Sequence, residues 1–465
     1  MKKETKLQRE KATIAGLRHH ARRLSIREGS FSTIRQSLGD SYITPFAIAI
    51  NSSNFIIAML SSISGLVGPM SQWFSSRLME KYSRKKIVVT AIFYECLMWI
   101  PLILTAFLFY KGILTSFLPL VLLIFFSSYV ILANLAGPAW FSWVGDLVDE
   151  EYRGKWFSKR NLIHGTVLVI FTLLASFFLD FLKKKNLTIF GFMILFFLAM
   201  IARLIAREYF KKSYEPKLKL EKNYYFSFWQ FIKKAPSNNF GRFAIFRAIM
   251  DFSVSIAGPF FTIYMLRNLG FSYTTFMIVT LSQTLFGLLV MKQWGRFADK
   301  YGNYEVMKLT IIIVGIFPFL WLISPNPIFL IFVPSLIGGI GWAGFNLAAS
   351  NFIFDSVTPQ RRGICVSYYN VLTGIGIFLG AGLGAILIKT WTIPFMDTIL
   401  FIFVISGIAR LASGLILLPS FREVRETEKF KSKNVLQNLV PKIIKIPMIE
   451  EAHELFTKKI VRWKK

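Results

Sequence analysis

The sequence SRLMEKYS at residues 76–83 returns in the second half of the chain as GRFADKYG at residues 295–302. Each copy has an arginine, two apolar residues, an acid, a lysine and a tyrosine in the same order. Two more pairs follow in register: an acid with Arg-Gly seven residues later, at 146–154 and 355–363, and the tetrapeptide IARL, at 201–204 and 408–411. Several matches in one register indicate that the chain contains two copies of one unit.

Around these segments the chain consists of apolar runs of about 18 to 25 residues, long enough to cross ~30 Å of hydrocarbon as helices. An even number of spans in each copy gives both copies the same orientation in the membrane. The expected fold is all-α and integral to the membrane, with twelve transmembrane helices in two parallel-related six-helix bundles. These helices are predicted near residues 31–50, 55–76, 87–109, 114–136, 161–182, 188–206, 240–264, 273–294, 306–323, 328–350, 364–388 and 395–418.

The same pattern divides the chain into five predicted regions. The last region mixes apolar and cationic positions, which is typical either of a helix resting on anionic lipid or of a solvated tail. The regions are a cytoplasmic basic tail (1–28), an N-terminal six-helix bundle (29–210), a cytoplasmic linker (211–237), a C-terminal six-helix bundle (238–419) and a second cytoplasmic basic tail (420–465).

The chain is strongly basic, with 55 Lys and Arg against 25 Asp and Glu and a formal net charge of +30. Yet 54% of the residues are hydrophobic and only 17% are charged, which excludes an ordinary soluble domain. Most basic residues flank the predicted spans, in the tails and in the loops on one side, as the positive-inside rule expects. We therefore expect a multi-pass protein of the cell (plasma) membrane with both termini cytoplasmic, anionic lipids at the basic tails, and no nucleic-acid partner.

The two loops at 76–83 and 295–302 resemble the loop signature Gly-x-x-x-Asp-Arg/Lys-x-Gly-x-Lys/Arg of the major facilitator superfamily of secondary transporters. The second copy matches well, through Gly295, Asp299, Lys300 and Gly302, although its basic end is missing. The first copy keeps the basic end but has serines in place of both glycines and Glu80 in place of the aspartate. The resemblance covers residues 29–419 and implies a twelve-helix transporter that works by alternating access.

An acid at the end of one helix can accept hydrogen bonds from the N-terminus of a neighbouring helix, where unpaired N–H groups carry partial positive charge. By resemblance, the acids of these loops act as a latch that exists only while the cytoplasmic side is closed. The alternative is a set of ordinary interfacial charges, worth ~0 to 1 kcal/mol per exposed pair. The predicted cytoplasmic gate comprises Arg77, Glu80, Lys81, Asp146, Arg153, Gly295, Arg296, Asp299, Lys300, Asp355 and Arg362.

The first helix of each copy carries charges inside an apolar run: Arg35, Gln36 and Asp40 in one, Arg247 and Asp251 in the other. A charged residue at the centre of a span costs ~2.5 to 3.5 kcal/mol on insertion scales, so these side chains must face protein. The aspartates are predicted to load and release a proton, or the arginines to bind an anionic or polyhydroxylated solute. Two purely structural ion pairs are the remaining alternative.

Five further polar residues inside the spans are secondary cavity candidates. Glu95 can instead pair with a neighbouring cation, His164 can pack at the interface, and the amides can bond across helices. These candidates are Glu95, Asn134, His164, Gln283 and Asn346.

The sequence contains no G-x-x-x-x-G-K-[ST] loop, no H-E-x-x-H and no paired C-x-x-C, so neither an enzyme nor a cofactor or metal site is expected. The expected function is secondary active transport of a small solute by a monomer, with proton coupling through Asp40 or Asp251. A non-transporting sensor or scaffold of the same fold, and a lipid translocator, stay open as alternatives.

Overall fold

The computed structural model describes residues 2–148, 150–216 and 226–428, and the side chains of these residues except 2–13, 76, 150–155, 158, 359 and 360. Part of the predicted linker and most of the predicted C-terminal tail lie outside the described residues. Within the described ranges the secondary structure is helical.

The first half of the chain folds into nine α-helices. Short breaks divide three of its six spans, the first, third and fourth, into two helices each. The helices are α1 (Lys2–Leu38), α2 (Ile43–Ala49), α3 (Asn54–Leu78), α4 (Arg84–Leu97), α5 (Trp99–Tyr110), α6 (Leu118–Leu135), α7 (Gly137–Leu147), α8 (Glu150–Lys183) and α9 (Thr188–Lys212).

A short helix, α10 (Phe228–Lys234), lies in the described part of the linker, and the second half continues with seven more α-helices. A π-helical turn (Tyr264–Asn268) follows the first of them. These helices are α11 (Asn239–Ile263), α12 (Tyr273–Tyr301), α13 (Asn303–Leu320), α14 (Pro327–Phe332), α15 (Pro334–Ser356), α16 (Pro359–Thr390) and α17 (Thr398–Leu417).

Proline explains the breaks inside spans. A proline lacks the N–H that a continuous helix donates to the carbonyl four residues earlier, and its ring clashes with that carbonyl. Pro101, Pro138 and Pro334 follow the junctions α4/α5, α6/α7 and α14/α15. At the last junction the Ser335 hydroxyl donates to the Leu330 carbonyl at 2.9 Å, so the freed acceptor keeps a partner.

The first predicted span, 31–50, differs most from its prediction. α1 begins far before it at Lys2, ends at Leu38, and is followed by a 3-10 turn (Asp40–Tyr42) before α2. The other eleven predicted spans each coincide with a stretch of helix long and apolar enough to cross a membrane. This segment is not such a stretch, because the break interrupts the helix and the charges beside it make the helix less apolar.

The residues pack into two compact units. Of the described residues, the first unit comprises those within 2–231, 247–278 and 363–406, and the second comprises those within 232–246, 279–362 and 407–428. In the first unit α1 packs along α8 and α9, and α3 packs along α6. In the second unit α13 packs along α15.

A row of glycines brings α16 against the backbone of α11 in the first unit. A Cβ built at Gly376, Gly380 or Gly384 would lie 2.1 to 2.3 Å from a carbonyl oxygen of α11. The spacing of four residues places the three glycines on one helix face. The glycine-rich sequence of this span therefore serves close helix packing, as its small-residue spacing predicts.

Candidate functional site

The break after α1 positions a carboxylate inside the first unit. A Cβ at Gly39 would lie 2.2 Å from the Trp99 ring, so this contact requires glycine. Asp40 follows in the 3-10 turn, and Nη1 of Arg35 donates to both of its carboxylate oxygens at 2.8 and 3.1 Å. The Tyr129 hydroxyl donates to the same carboxylate at 2.6 Å. The predicted Arg35 and Asp40 pair therefore exists, with a tyrosine from α6 that sequence analysis did not identify.

A second ion pair lies beside the first. Nε and Nη2 of Arg203 donate to the Glu95 carboxylate at 2.7 to 3.0 Å, a two-nitrogen geometry that adds strength and direction. The Glu95 side chain is fully buried, and Nη1 of Arg35 approaches it to 3.5 Å. Arg203 also donates to the Ser32 hydroxyl at 2.7 Å. The predicted pairing of Glu95 with a cation is confirmed, and it joins α4 and α9 to the first helix.

A third buried pair, Glu28 and Arg160, was not among the predicted residues. Nη2 of Arg160 donates to Glu28 at 3.2 Å, and the indole N–H of Trp140 donates to the same carboxylate oxygen at 3.3 Å. The Arg160 guanidinium also lies 4.9 Å from the centre of the Trp140 ring. His164 is bonded to the Ile26 carbonyl at 3.2 Å, a packing contact of the kind the sequence allowed.

Some of these groups line a cavity of about 220 Å³ in the first unit. Its wall combines charged and hydroxyl groups with apolar side chains, and every lining residue comes from the first repeat. The cavity is lined by Glu28, Gly29, Ser32, Thr33, Arg35, Gln36, Val88, Ile92, Ala133, Ala136, Gly137, Trp140, Arg160, His164, Arg203 and Phe210. The predicted Gln36 and His164 thus line this cavity, together with Arg160 and Arg203, neither of which was a predicted site residue.

The second repeat has simpler charge pairing. Nε of Arg247 donates to both Asp251 oxygens at 3.0 Å, one helical turn apart on α11. Arg410, which matches Arg203 in the repeated IARL sequence, is buried and donates to the Val314 carbonyl at 3.2 Å. In the repeat, Val314 of α13 occupies the position that matches Glu95 of α4. The second repeat therefore has no carboxylate at that position.

The predicted amides lie at helix contacts. In the first unit Asn134 accepts a hydrogen bond from Gln72 at 3.0 Å, and Gln72 in turn accepts one from Asn370 at 3.2 Å. In the second unit the backbone of Gln283 lies under Gly339, and Asn346 is exposed on α15. Asn134 is thus bonded to an amide side chain and not to the ion pairs of α1, which lie in the same unit.

Three predicted gate residues belong to ionic clusters at helix ends, Asp146 in the first unit and Asp299 and Asp355 in the second. In the first unit Arg84 is fully buried and donates to Asp146 at 2.6 Å and to the Pro216 carbonyl at 2.7 Å. Glu215 approaches Arg84 to 3.6 Å. Arg84 was not among the predicted gate residues, although it is the first basic residue after the loop signature.

The second unit repeats this arrangement with a different cation. Asn303, at the position that matches Arg84, donates to Asp355 at 2.8 Å. Arg425, which follows the last span, lies 3.2 Å from Asp355 and 3.9 Å from Asp299. The segment that carries Arg425 also covers the start of α13, where Glu423 accepts a hydrogen bond from the Tyr304 backbone N–H at 2.8 Å.

The other predicted gate residues have varied surroundings. Lys300 lies 3.5 Å from Glu428, and Arg362 donates to the carbonyls of Phe354 and Val357 rather than to Asp355. The Arg77 guanidinium lies over the Trp73 ring. Glu80, Lys81 and Arg296 are exposed, Gly295 is half-buried, and the side chain of Arg153 lies outside the described residues. The latch role of these residues stays a prediction.

The loop acids were predicted to accept hydrogen bonds from the N-terminus of a neighbouring helix. Another acid, at the opposite end of the first unit, makes such bonds. Asp180, near the end of α8, accepts hydrogen bonds from the backbone N–H groups of Tyr273 and Thr274, both at 2.8 Å. The Ser272 hydroxyl accepts the next N–H of α12, that of Thr275, at 3.0 Å. Side-chain oxygens therefore satisfy the first three N–H groups of this helix.

Comparisons with known proteins agree with this architecture. The sequence profile described as "Major Facilitator Superfamily" matches residues 30–246 and 243–463. A point variant of the nucleoside transporter NupG shares 16% identity over 86% of this chain and 100% of its own, with a TM-score of 0.66. A bacterial homologue of the iron transporter ferroportin, in an inward-facing state, shares 14% identity over 86% of this chain and 98% of its own, with a TM-score of 0.66.

A structure described as a bacterial metal transporter shares 14% identity over 87% of this chain and 98% of its own, with a TM-score of 0.61. Curated protein sequences include no significant match to this chain. At these identities the solved structures show a common fold, and only the sequence profile bears on the family.

Proposed function

Because this chain belongs to the major facilitator superfamily, a family of membrane transporters, we propose that it moves a small solute by alternating access, coupled to protons. The chain is a multi-pass membrane protein with the predicted two-repeat, all-α fold, and its family consists of transporters rather than enzymes. The solute, the coupling ion, the plasma-membrane location and the cytoplasmic termini belong to the proposal.

The Asp40 carboxylate carries the proton-coupling proposal. It lies at a break in a membrane-embedded helix, where Arg35 and the Tyr129 hydroxyl hold it. Its side chain keeps 31% of its surface exposed, whereas that of Asp251 keeps 12%. A carboxylate in a span must be sheltered by protein, and one that keeps part of its surface exposed is the better candidate for exchanging a proton. These features favour Asp40 over Asp251 as the coupling residue.

The test uses the full chain in proteoliposomes with a pH-sensitive dye inside. A panel of nucleosides, sugars, organic acids and divalent iron is added outside, since solved relatives of the fold are described as nucleoside and metal transporters. We expect one solute class to drive proton uptake in the native chain. Asp40→Asn should reduce this uptake by about tenfold or more, whereas Asp251→Asn should change it by about twofold or less.

Solute binding should survive in Asp40→Asn, because the substitution keeps the shape of the side chain. Proton uptake that persists unchanged in Asp40→Asn would contradict the assignment of this residue. Solute uptake without any proton movement in the native chain would contradict coupling itself, and the transporter would then be a uniporter or use another ion.

A further inference from the structure

We propose that the cavity inside the first unit binds a small organic anion, with the anionic group held by Arg160 and Arg203 and the apolar part against Trp140. The inference rests on the proposed transport function, since it names the class of solute that the transporter moves. It assigns the solute to three residues of one repeat, none of which was among the site residues predicted from sequence.

The wall of the cavity is rich in hydrogen-bond donors. Arg35, Arg160 and Arg203 all line it, and each guanidinium carries five N–H groups. Arg203 donates to Glu95 through Nε and Nη2 and to Ser32 through Nη1, which leaves one N–H on each terminal nitrogen. Nε of Arg35 is buried without a hydrogen-bond partner within the described part of the chain. A ligand with several acceptor oxygens would use these donors.

The arrangement of charge favours an anion over a neutral ligand. Each of the three guanidinium groups has a carboxylate partner: Arg203 has Glu95, Arg160 has Glu28, and Arg35 has Asp40 and also approaches Glu95 to 3.5 Å. Of these three carboxylates, only that of Glu28 lines the cavity. A ligand inside therefore meets three cations and one acid directly. Arginine forks bind carboxylate and phosphate through two parallel N–H bonds, which gives such a site its direction.

Part of the wall is apolar. Val88, Ile92, Ala133 and Phe210 line the cavity, together with Trp140, whose ring packs against the Arg160 guanidinium and whose N–H is bonded to Glu28. A cavity of about 150 Å³ accepts benzene, so one of about 220 Å³ accepts a ring with one attached acidic group. The predicted solute is thus amphipathic, with one anionic end and one planar or apolar end.

The test is binding to the purified full chain in detergent, measured by calorimetry and by the shift in thermal unfolding. The probes are benzoate, phenyl phosphate and benzyl alcohol, which share a ring and differ in the charge and shape of the attached group. We expect one or both anions to bind at least about tenfold more tightly than benzyl alcohol, because the alcohol lacks the charge that the arginines bind. The tighter of the two anions identifies a carboxylate or a phosphate solute.

Three variants locate the site. Ala133→Leu adds bulk to the cavity wall, and the double variant Glu28→Gln with Arg160→Gln removes one cation while keeping the pair neutral. Both should weaken anion binding by about tenfold or more. Arg207→Gln is the matched control, because Arg207 lies on the same helix as Arg203, bonds the Val89 carbonyl and does not line the cavity. It should leave binding within about twofold.

Equal binding of benzyl alcohol and the anions would overturn the proposal. So would failure of both anions to bind, or binding that Ala133→Leu leaves unchanged. Binding is measured without a membrane or a pH gradient, so a transporter that proves not to be proton-coupled can still contain this site. Conversely, if the chain is a proton-coupled transporter but the cavity does not bind anions, the proposed function stands and only this inference is wrong.

Discussion

Glu95 and Arg203 illustrate what a charged side chain needs inside an apolar bundle. Both are buried, and Nε and Nη2 of Arg203 donate to the Glu95 carboxylate. The desolvation of two ions is costly, so the pair is not a large net source of stability. Removing one partner is different, because the remaining charge is left buried without compensation.

We expect Glu95→Gln to destabilise the protein by about 3 to 5 kcal/mol, since Arg203 loses its carboxylate and Arg35 loses a neighbour. Arg203→Gln should cost a similar amount. The double variant should cost clearly less than the two together, because neither charge is then left alone. Thermal unfolding of the four proteins in detergent measures these differences.

The matched control is the pair Arg207 and Glu208 on the same helix, 3.3 Å apart, with Glu208 half exposed. Its double-variant cycle should give at most ~1 kcal/mol. Strictly additive effects at Glu95 and Arg203 would show that the observed contact does not determine stability.

At this scale the sequence predicted that charges in apolar runs face protein and left ion pairing as one alternative; Arg35, Asp40 and Glu95 are each paired. It could not supply the partners, because Arg203 and Tyr129 are distant in sequence and meet these residues only after the helices pack. Arg160 was missed for a different reason. It lies at the start of its span, where a basic residue is ordinarily attributed to the interface.

The helices themselves depend on where small residues and prolines occur. Apolar runs predicted the spans well, because length and composition alone decide whether a helix can cross the membrane. They did not predict the breaks at Met98 and Ala136, which depend on single missing N–H groups. Nor did they predict the interruption after Leu38, where Gly39 packs against Trp99.

We expect Gly380→Ala to destabilise the protein by about 1 to 3 kcal/mol, because the new Cβ would lie 2.1 Å from the Phe252 carbonyl oxygen. The backbone of α11 cannot yield as a flexible side chain would, so the two helices must move apart. Thermal unfolding in detergent measures the change.

Gly382→Ala provides the control on the same helix. Its Cβ would meet only the Ser62 hydroxyl, at an ordinary distance of 3.6 Å. Alanine is favoured over glycine in helices by about 0.8 to 1 kcal/mol, so this variant should be neutral or slightly more stable. If both variants behave alike, close contact between α11 and α16 is not the reason for the glycines.

For the molecule as a whole, the contacts that connect the repeats matter most. Asp180 of the first repeat accepts hydrogen bonds from the first two backbone N–H groups of α12 in the second repeat. Arg267 of the second repeat donates to the Ser52 carbonyl of the first at 2.7 Å. Alternating access requires contacts at this end to break and re-form. The repeat could be predicted from the sequence, but Asp180 could not, because nothing in its own copy marks it.

We expect Asp180→Ala to open this end of the first unit more often, since it removes two bonds to backbone N–H groups worth about 1 to 2 kcal/mol. The measurement is maleimide labelling of the thiol introduced by Ser52→Cys, because Ser52 is fully buried. Labelling should rise roughly tenfold, as a 1.4 kcal/mol change in opening implies.

Lys184→Ala, at an exposed position in the same loop, should leave labelling unchanged. The two native cysteines are buried and give a low background. Equal labelling in Asp180→Ala and in its parent would show that the cap does not hold this end closed.

The different cations that neutralise Asp146 and Asp355 have a consequence for how the protein is made. Arg84 precedes Asp146 in the chain, so the first carboxylate emerges from the ribosome with its partner already synthesised. Asp355 must wait for Arg425, and translation from one to the other takes roughly 4 to 14 s at about 5–20 residues per second. During biogenesis the two homologous halves are therefore unequal: in the first half the cation is synthesised before its aspartate, and in the second half it is synthesised only after the last crossing has been translated.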